Sequence, residues 1–275
     1  MDPAIEALLP WKTAAVLGWL AFFFAAERLR PAAREPRGAD ARGPRGGRWR
    51  LARNAGFWLA NVGLSPLVVV PVSLWATGYH LGWRPAWWSG PLGLALDIVL
   101  LDFLIYWWHR AAHVVPFLWR FHEVHHLDRF LDSTTALRFH FGEVVLAALA
   151  RAAVIALFGL PIVSILVFET LVLVATIFHH SNLALGPRLE GALARVVITP
   201  SIHWVHHHAA QRDTDSNYGT IFSFWDPLFG SRSPTRRTLD MEIGVERRAE
   251  RGLPHLLVRP FLSARRRAAQ FGVLQ

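Results

Sequence analysis

The chain of 275 residues carries a net charge of +9 and is 53% hydrophobic, with 13 Trp and 18 Phe. That apolar content exceeds the usual composition of soluble domains and points to a membrane. There is no cysteine, which excludes disulfides, iron–sulfur clusters, thiolate haem and a cysteine nucleophile, and leaves any redox centre to His, Asp, Glu or Tyr.

Residues 1–10 have no Lys or Arg and so lack the basic start of a cleaved signal peptide. Residues 11–26 predict a first spanning helix. Residues 27–53 hold nine Arg among Gly and Pro, a composition expected to remain a flexible loop, cytoplasmic by the positive-inside rule. Residues 54–83 contain no Asp, Glu, Lys or Arg and exceed the ~20 residues that cross a bilayer core. Pro66 and Pro71 are expected to kink or break that helix, and Tyr79, His80, Trp83, Trp87 and Trp88 read as an aromatic belt at its far end. A third span, residues 92–108, bears Asp97 and Asp102, costly carboxylates that should face a polar interior. Residues 144–160 and 162–178 form a hairpin that leaves and returns, with Arg151 and Glu169 placed to pair with each other or with lipid headgroups. After an amphipathic stretch, the Gly- and aromatic-rich residues 213–230 are expected to cover the site, and the tail 231–275, with ten Arg, to lie as a peripheral helix on the inner surface. All but one of the 29 basic residues are Arg. They sit in blocks beside apolar spans, which favours headgroup contact and topology over nucleic acid.

The chemistry is concentrated in three groups: His109-x3-His113, His122-x2-His125-His126 and, about eighty residues later, His203-x2-His206-His207. Side chains three and four apart share a helix face, so each group presents a cluster of imidazoles. Imidazole is the commonest metal ligand and suits Zn, Cu, Fe and Ni, while one ion seldom takes more than four to six ligands. Eight His therefore argue for two metals. A lone i,i+4 His pair is more often plain structure than a ligand, but three such groups in one chain outweigh that reading. Counting spans places all of them on one face, together with His140 and His179-His180. Asp102, two turns before His109, either orients that imidazole through its second nitrogen or hydrogen-bonds a neighbouring helix.

The motifs Asp102-Phe-x2-Tyr106-x2-His109-Arg110-x2-His113, His122-x2-His125-His126, Arg138-x-His140-x2-Glu143, His180-Ser-Asn182, His203-x2-His206-His207, Asn217-Tyr-Gly219 and Trp225-Asp226-x-Leu-Phe229-Gly230 resemble the fatty acid hydroxylase/sterol desaturase superfamily over about residues 95–230. The resemblance implies an O2-dependent oxidoreductase acting on lipid C–H bonds, as hydroxylase or desaturase, at two iron ions. It carries ligand positions over to His109, His113, His122, His125, His126, His203, His206 and His207, with His180 as a further ligand and His140 as a possible one. Asp102 and Asp226 are the carboxylates expected behind the ligands, whereas His179 and His208 do not match. The expected fold is all-α: a multi-span membrane protein of about 4–5 transmembrane helices with a cytoplasmic histidine-rich helical cap. Residues 1–90 would supply membrane helices and the Arg-rich loop, 91–230 the catalytic domain and 231–275 the basic tail.

Aromatic residues Tyr106, Trp107, Trp108, Phe121 and Trp204 are candidates to line a lipid pocket. The chain offers no Cys cluster and no G-x-G-x-x-G after a strand, so electrons are expected from a separate donor protein of ferredoxin or cytochrome type. Spacing alone would also fit a zinc-dependent membrane hydrolase, or a non-enzymatic metal-binding membrane protein.

Overall fold

The computed structural model describes residues 3–35, 47–82, 84–248 and 250–262. Part of the Arg-rich loop (36–46), Trp83 of the aromatic belt and the end of the tail (263–275) lie outside them. Among the described residues every regular element is helical, and β-pairing is limited to the isolated bridges Val197–Phe222 and His208–Ile243.

Five helical segments are long and apolar enough to cross a membrane. They are α1 (Pro3–Leu29), the joined pair α2 (Gly47–Leu64) and α3 (Val70–Gly78), α4 (Gly90–Val114), α6 (Phe141–Phe158) and α7 (Ile162–His180). Pro66 does not break the second span. It lies in a π-helical turn, Ser65–Val69, whose wider hydrogen-bond spacing absorbs the missing N–H, and Gly47–Gly78 stays helical throughout. The turn between α6 and α7 uses Gly159 at φ 60 as a left-handed cap, a conformation that glycine adopts without a Cβ clash. Apolar side chains of α4, α6 and α7 close a buried core that includes Leu101, Ile155, Ile165 and Phe168. Asp97 is satisfied inside it by Arg84 (2.9 Å), Trp88 Nε1 (2.9 Å) and Ser164 (2.6 Å).

At one end of the spans, short helices and loops form a cap. Helix α5 (Pro116–His126) turns back after α4, and a 3-10 turn, Ser133–Leu137, leads to α6. Glu27, near the end of α1, accepts from Ser133 Oγ (2.6 Å), Ser133 N (3.0 Å) and Asn182 N (3.0 Å). It thereby ties the first span to the cap.

Two expectations about the arginines are corrected. Arg50 and Arg53 are not loop residues: they lie buried on α2. Arg50 pairs with Asp128 (3.1 Å) and Asp132, Arg53 with Glu250 (2.8 Å), and Arg138, also buried, pairs with Glu250. Against the effect of burial, Arg50 and Arg138 hold the Asp128 carboxyl below its usual range, which favours its ionised form. The described part of the tail is likewise a strap and not a peripheral helix. It contributes Glu250 to this network, seats Arg259 on Glu123 (3.1 Å), and forms only a short helix, α12 (Leu253–Val258). Positive charge was counted from composition, but the partnering carboxylates are distant in sequence.

Replacing Glu27 by Ala leaves three buried donors without an acceptor, so the variant should lose about 2–3 kcal/mol of stability. Glu27→Gln, which keeps one acceptor oxygen, should lose less. Thermal unfolding in detergent reads both.

Candidate metal centre

The cap gathers imidazoles from four helices. The last turns of α4 supply His109 and His113, α5 supplies His122, His125 and His126, and the end of α7 supplies His180. Helix α9 (Pro200–His206) and its C-cap supply His203, His206 and His207. These nine form two groups, His109, His113, His122, His126 and His206 in one and His125, His180, His203 and His207 in the other. Within each group the candidate ligand atoms all lie within 4.8 Å of one another.

The fit of a cation can be tested on the tautomers. His109 donates Nδ1–H to the Tyr218 carbonyl (2.8 Å) and His122 donates to Glu143 Oε1 (2.8 Å), so on each ring the lone pair is left on Nε2. Those two Nε2 atoms face each other at 3.1 Å. The second group repeats the arrangement: His180 donates Nδ1–H to Thr176 O (2.7 Å), His125 donates to Arg138 O (3.2 Å), and their Nε2 atoms stand 3.0 Å apart. In the second pair both Nδ1 partners are carbonyl oxygens, which cannot donate, so two lone pairs meet with no proton to share; the first pair repeats this with the Glu143 carboxylate as the acceptor on His122. A cation between them resolves the contact, and each ring's Nδ1 partner is the orienting bond typical of metal-ligating histidine. Buried Nε2 atoms of His113 and His206 have no hydrogen-bond partner, as expected of lone pairs reserved for a metal.

Electrostatics agree. Burial, reinforced by neighbouring imidazoles, holds His125, His126, His203, His206 and His207 well below the usual histidine range. These rings stay neutral, the form that ligates.

His140 lies outside both groups. It caps α6 by accepting from Gly142 N (3.0 Å) at Nδ1 and donates Nε2–H to Leu257 O (2.9 Å), so neither nitrogen remains for a metal. His179 is buried against the His203 ring (4.0 Å between centroids), and His208 pairs with Asp213 (2.8 Å). Asp102 does not touch His109. Seven residues along a helix is a rise of about 10 Å, and its carboxylate instead accepts from Ile221 N (3.1 Å), Phe222 N (3.1 Å) and Trp225 Nε1 (2.8 Å). Asp226 accepts from Tyr218 N (2.7 Å) and Gly219 N (3.0 Å). Both carboxylates therefore fix the loop that presents the Tyr218 carbonyl to His109. A Cβ on Gly219 would come within 2.7 Å of Ile198 and 2.8 Å of the Phe222 carbonyl, so the turn needs glycine. Sequence reading gave no role to Glu143, to Asp215, which faces His113 Nδ1 at 3.3 Å, or to the carbonyls of Arg138, Thr176, Ser216 and Tyr218. Backbone acceptors have no side-chain signature; the one local clue was the Asn217-Tyr-Gly turn, where Asn217 has φ 52.

A cavity of about 440 Å³ runs between α1, α2, α4, α6 and α7 and ends on histidines of both groups, His109 and His122 from one, His125, His180 and His203 from the other. Its walls are mostly apolar, with aliphatic residues such as Val16, Leu20, Ala148 and Val172 alongside Phe168. Of the aromatic candidates only Trp108 lines it. Tyr106 packs on Tyr218 and Phe229, Trp107 on Phe229, Phe121 on His140, and Trp204 on Phe130 under Arg237.

Fold and site together define an integral-membrane protein with paired histidine groups at the end of an apolar cavity. The sequence profile of the family described as fatty acid hydroxylase matches residues 94–231, and the chain belongs to that family. It is 29% identical over 203 residues to ornithine lipid hydroxylase OlsE of Rhizobium tropici, covering 74% of this chain and 60% of the relative. It is 31% identical over 156 residues to alkylglycerol monooxygenase of Homo sapiens (56% of this chain, 32% of the relative) and 28% identical over 144 residues to very-long-chain aldehyde decarbonylase GL1-8 of Oryza sativa subsp. indica (52% and 53%). The chain thus spans from about a third to three fifths of these relatives' lengths. No solved structure matches it.

The depressed histidines set the acid behaviour of metal-stripped protein. A base whose folded pKa is lowered gains its proton on unfolding, so stability falls as pH drops below the unfolded value near 6.5, by up to about 1.4 kcal/mol per pH unit for each such ring. Melting of chelator-stripped protein between pH 7.5 and 5 should show that decline, and reloading metal should suppress it.

Proposed function

We propose that the chain is a membrane-bound, O2-dependent lipid oxidase, hydroxylating or desaturating an alkyl chain at a dinuclear iron site. The observation that carries this reading is the aliphatic cavity whose inner end is walled by histidines of both groups. The names of the relatives refer to ornithine lipid, alkylglycerol and very-long-chain aldehyde, which supports a lipid substrate.

His109, His113, His122, His126 and His206 would hold one ion, and His125, His180, His203 and His207 the other. When bound, the pair of ions would supply O2 activation for C–H oxidation. The residues around them bind, orient and exclude water. Aliphatic side chains of α1, α6 and α7 seat an alkyl chain that enters sideways from the bilayer, and the loop held by Asp102 and Asp226 closes the aqueous side. Glu143 and the Tyr218, Arg138, Thr176 and Ser216 carbonyls keep the imidazole protons on Nδ1, so the Nε2 of each of those rings stays available. Hydroxylation balances as one C–H bond and O2 taking two electrons and two protons to give C–OH and water; desaturation removes two hydrogens and gives two waters. A separate ferredoxin- or cytochrome-type protein supplies the electrons, docking on the face that carries the cap, which would be cytoplasmic by the positive-inside rule.

With isotopically labelled O2, iron and a reducing partner, purified protein should place label in a hydroxylated lipid or yield an alkene. Active protein containing zinc without iron, turning over without O2, would overturn the assignment. Alanine at His125 or His206 should abolish oxidation while leaving membrane insertion intact. Asp226→Ala, which releases the loop behind His109, should cost about 10–100-fold in metal affinity or activity, read by metal analysis and lipid product yield.

A further inference from the structure

The apolar cavity has a second polar end. Lys12 of α1, Arg151 of α6 and Glu169 of α7 all line it, Glu169 lying eleven residues before His180 on α7. Glu169 divides its two oxygens between them, with Oε2 on Lys12 Nζ (2.5 Å) and Oε1 on Arg151 Nη2 (3.0 Å). Two cations share one carboxylate, so the cluster carries an excess positive charge within the membrane spans, where uncompensated charge is costly. Arg151 Nε is buried and has no hydrogen-bond partner, and the ammonium of Lys12 has donors beyond the one Glu169 takes. Such a cluster is complementary to one further oxyanion.

We infer that Lys12 and Arg151, balanced by Glu169, form a subsite for the anionic end of an amphiphilic lipid, a carboxylate or phosphate whose alkyl chain lies along the cavity toward the histidines. Glu169 and His180 are eleven residues apart on α7, a separation of about 16 Å at 1.5 Å per residue. With carbon–carbon bonds near 1.52 Å, an extended chain spans that gap with roughly a dozen carbons. The subsite would act as a ruler, placing a C–H bond about that far from the oxyanion at the histidine end. Glu169 matters as much as the cations: it reduces their charge enough to be held between helices, and it orients both donors. The ruler rests on the oxidase reading, but the anion preference does not.

Calorimetric titration of the full-length chain in neutral detergent tests the anion preference without turnover. The probes are myristate, its methyl ester and inorganic phosphate. Myristate should bind at least about tenfold more tightly than the ester, the difference expected of a charge-assisted hydrogen-bonded pair, and phosphate should bind far more weakly than myristate. In Arg151→Gln and Lys12→Gln the preference for myristate should collapse while ester binding persists, and Arg151→Lys should retain most of it. Persistent ester binding shows that the variants are folded. Equal binding of myristate and ester by the unaltered chain, a preference surviving in both Gln variants, or phosphate binding as tightly as myristate would each overturn the subsite. Where the loaded enzyme oxidises myristate, product analysis should find the new oxygen or double bond near the methyl end and scattered along the chain in Arg151→Gln. Unscattered products would refute the ruler. Absence of oxidation with intact anion preference would count against the oxidase reading and leave the subsite standing.

Discussion

Everything in the cap follows from the difficulty of packing imidazole lone pairs against one another out of water. His109 faces His122 and His125 faces His180 nitrogen to nitrogen, with the protons committed elsewhere. No hydrophobic gain comes from such contacts, and no hydrogen bond relieves them. They persist because backbone carbonyls and Glu143 fix each ring, and because the elements bearing those groups are themselves clamped. The arrangement reads as a receptacle prepared for cations and not as a polar core.

The clamps are ionic and buried. Arg50, Arg53 and Arg138 join α2, the segment after α5 and the tail strap through Asp128, Asp132 and Glu250. Removing one partner from such a network leaves an uncompensated buried charge, which is far costlier than losing a surface pair. Glu27 and Asn182 tie α1 and the end of α7 into the same base. The bilayer spans thus deliver their ends to a plate whose geometry is set by charge pairing, and the histidines stand on that plate.

On the other side of the histidines the spans separate enough to leave an aliphatic cavity, with the π-helical turn of the second span contributing Ser65 and Val69 to its wall. A largely apolar cavity lined by histidines of both groups and by Lys12 and Arg151 is suited to an amphiphile held by both its chain and its head. Of the aromatic candidates on α4 and α5 only Trp108 reaches the lining, because the others pack elsewhere, several of them under the covering loop. Helix rotation, which is set by contacts with other helices, decided that.

Local periodicity by itself determined much of this protein: that it crosses a membrane, that its regular elements are helices, and that histidines three and four apart would share faces. Each of those properties depends on neighbours within one or two turns. Only the tertiary structure decided how nine imidazoles divide, with His122 and His126 in one group and His125 between them in the other, and likewise His206 apart from His203 and His207. A helix turns about 100° per residue, so adjacent ligands point apart and the partition depends on where α4, α7 and α9 place their own rings. The same holds for the Arg residues that proved buried, for Asp102 bonding the covering loop and not His109, and for the carbonyls that choose each tautomer. Those interactions join residues far apart in the chain, and no local pattern encodes their meeting.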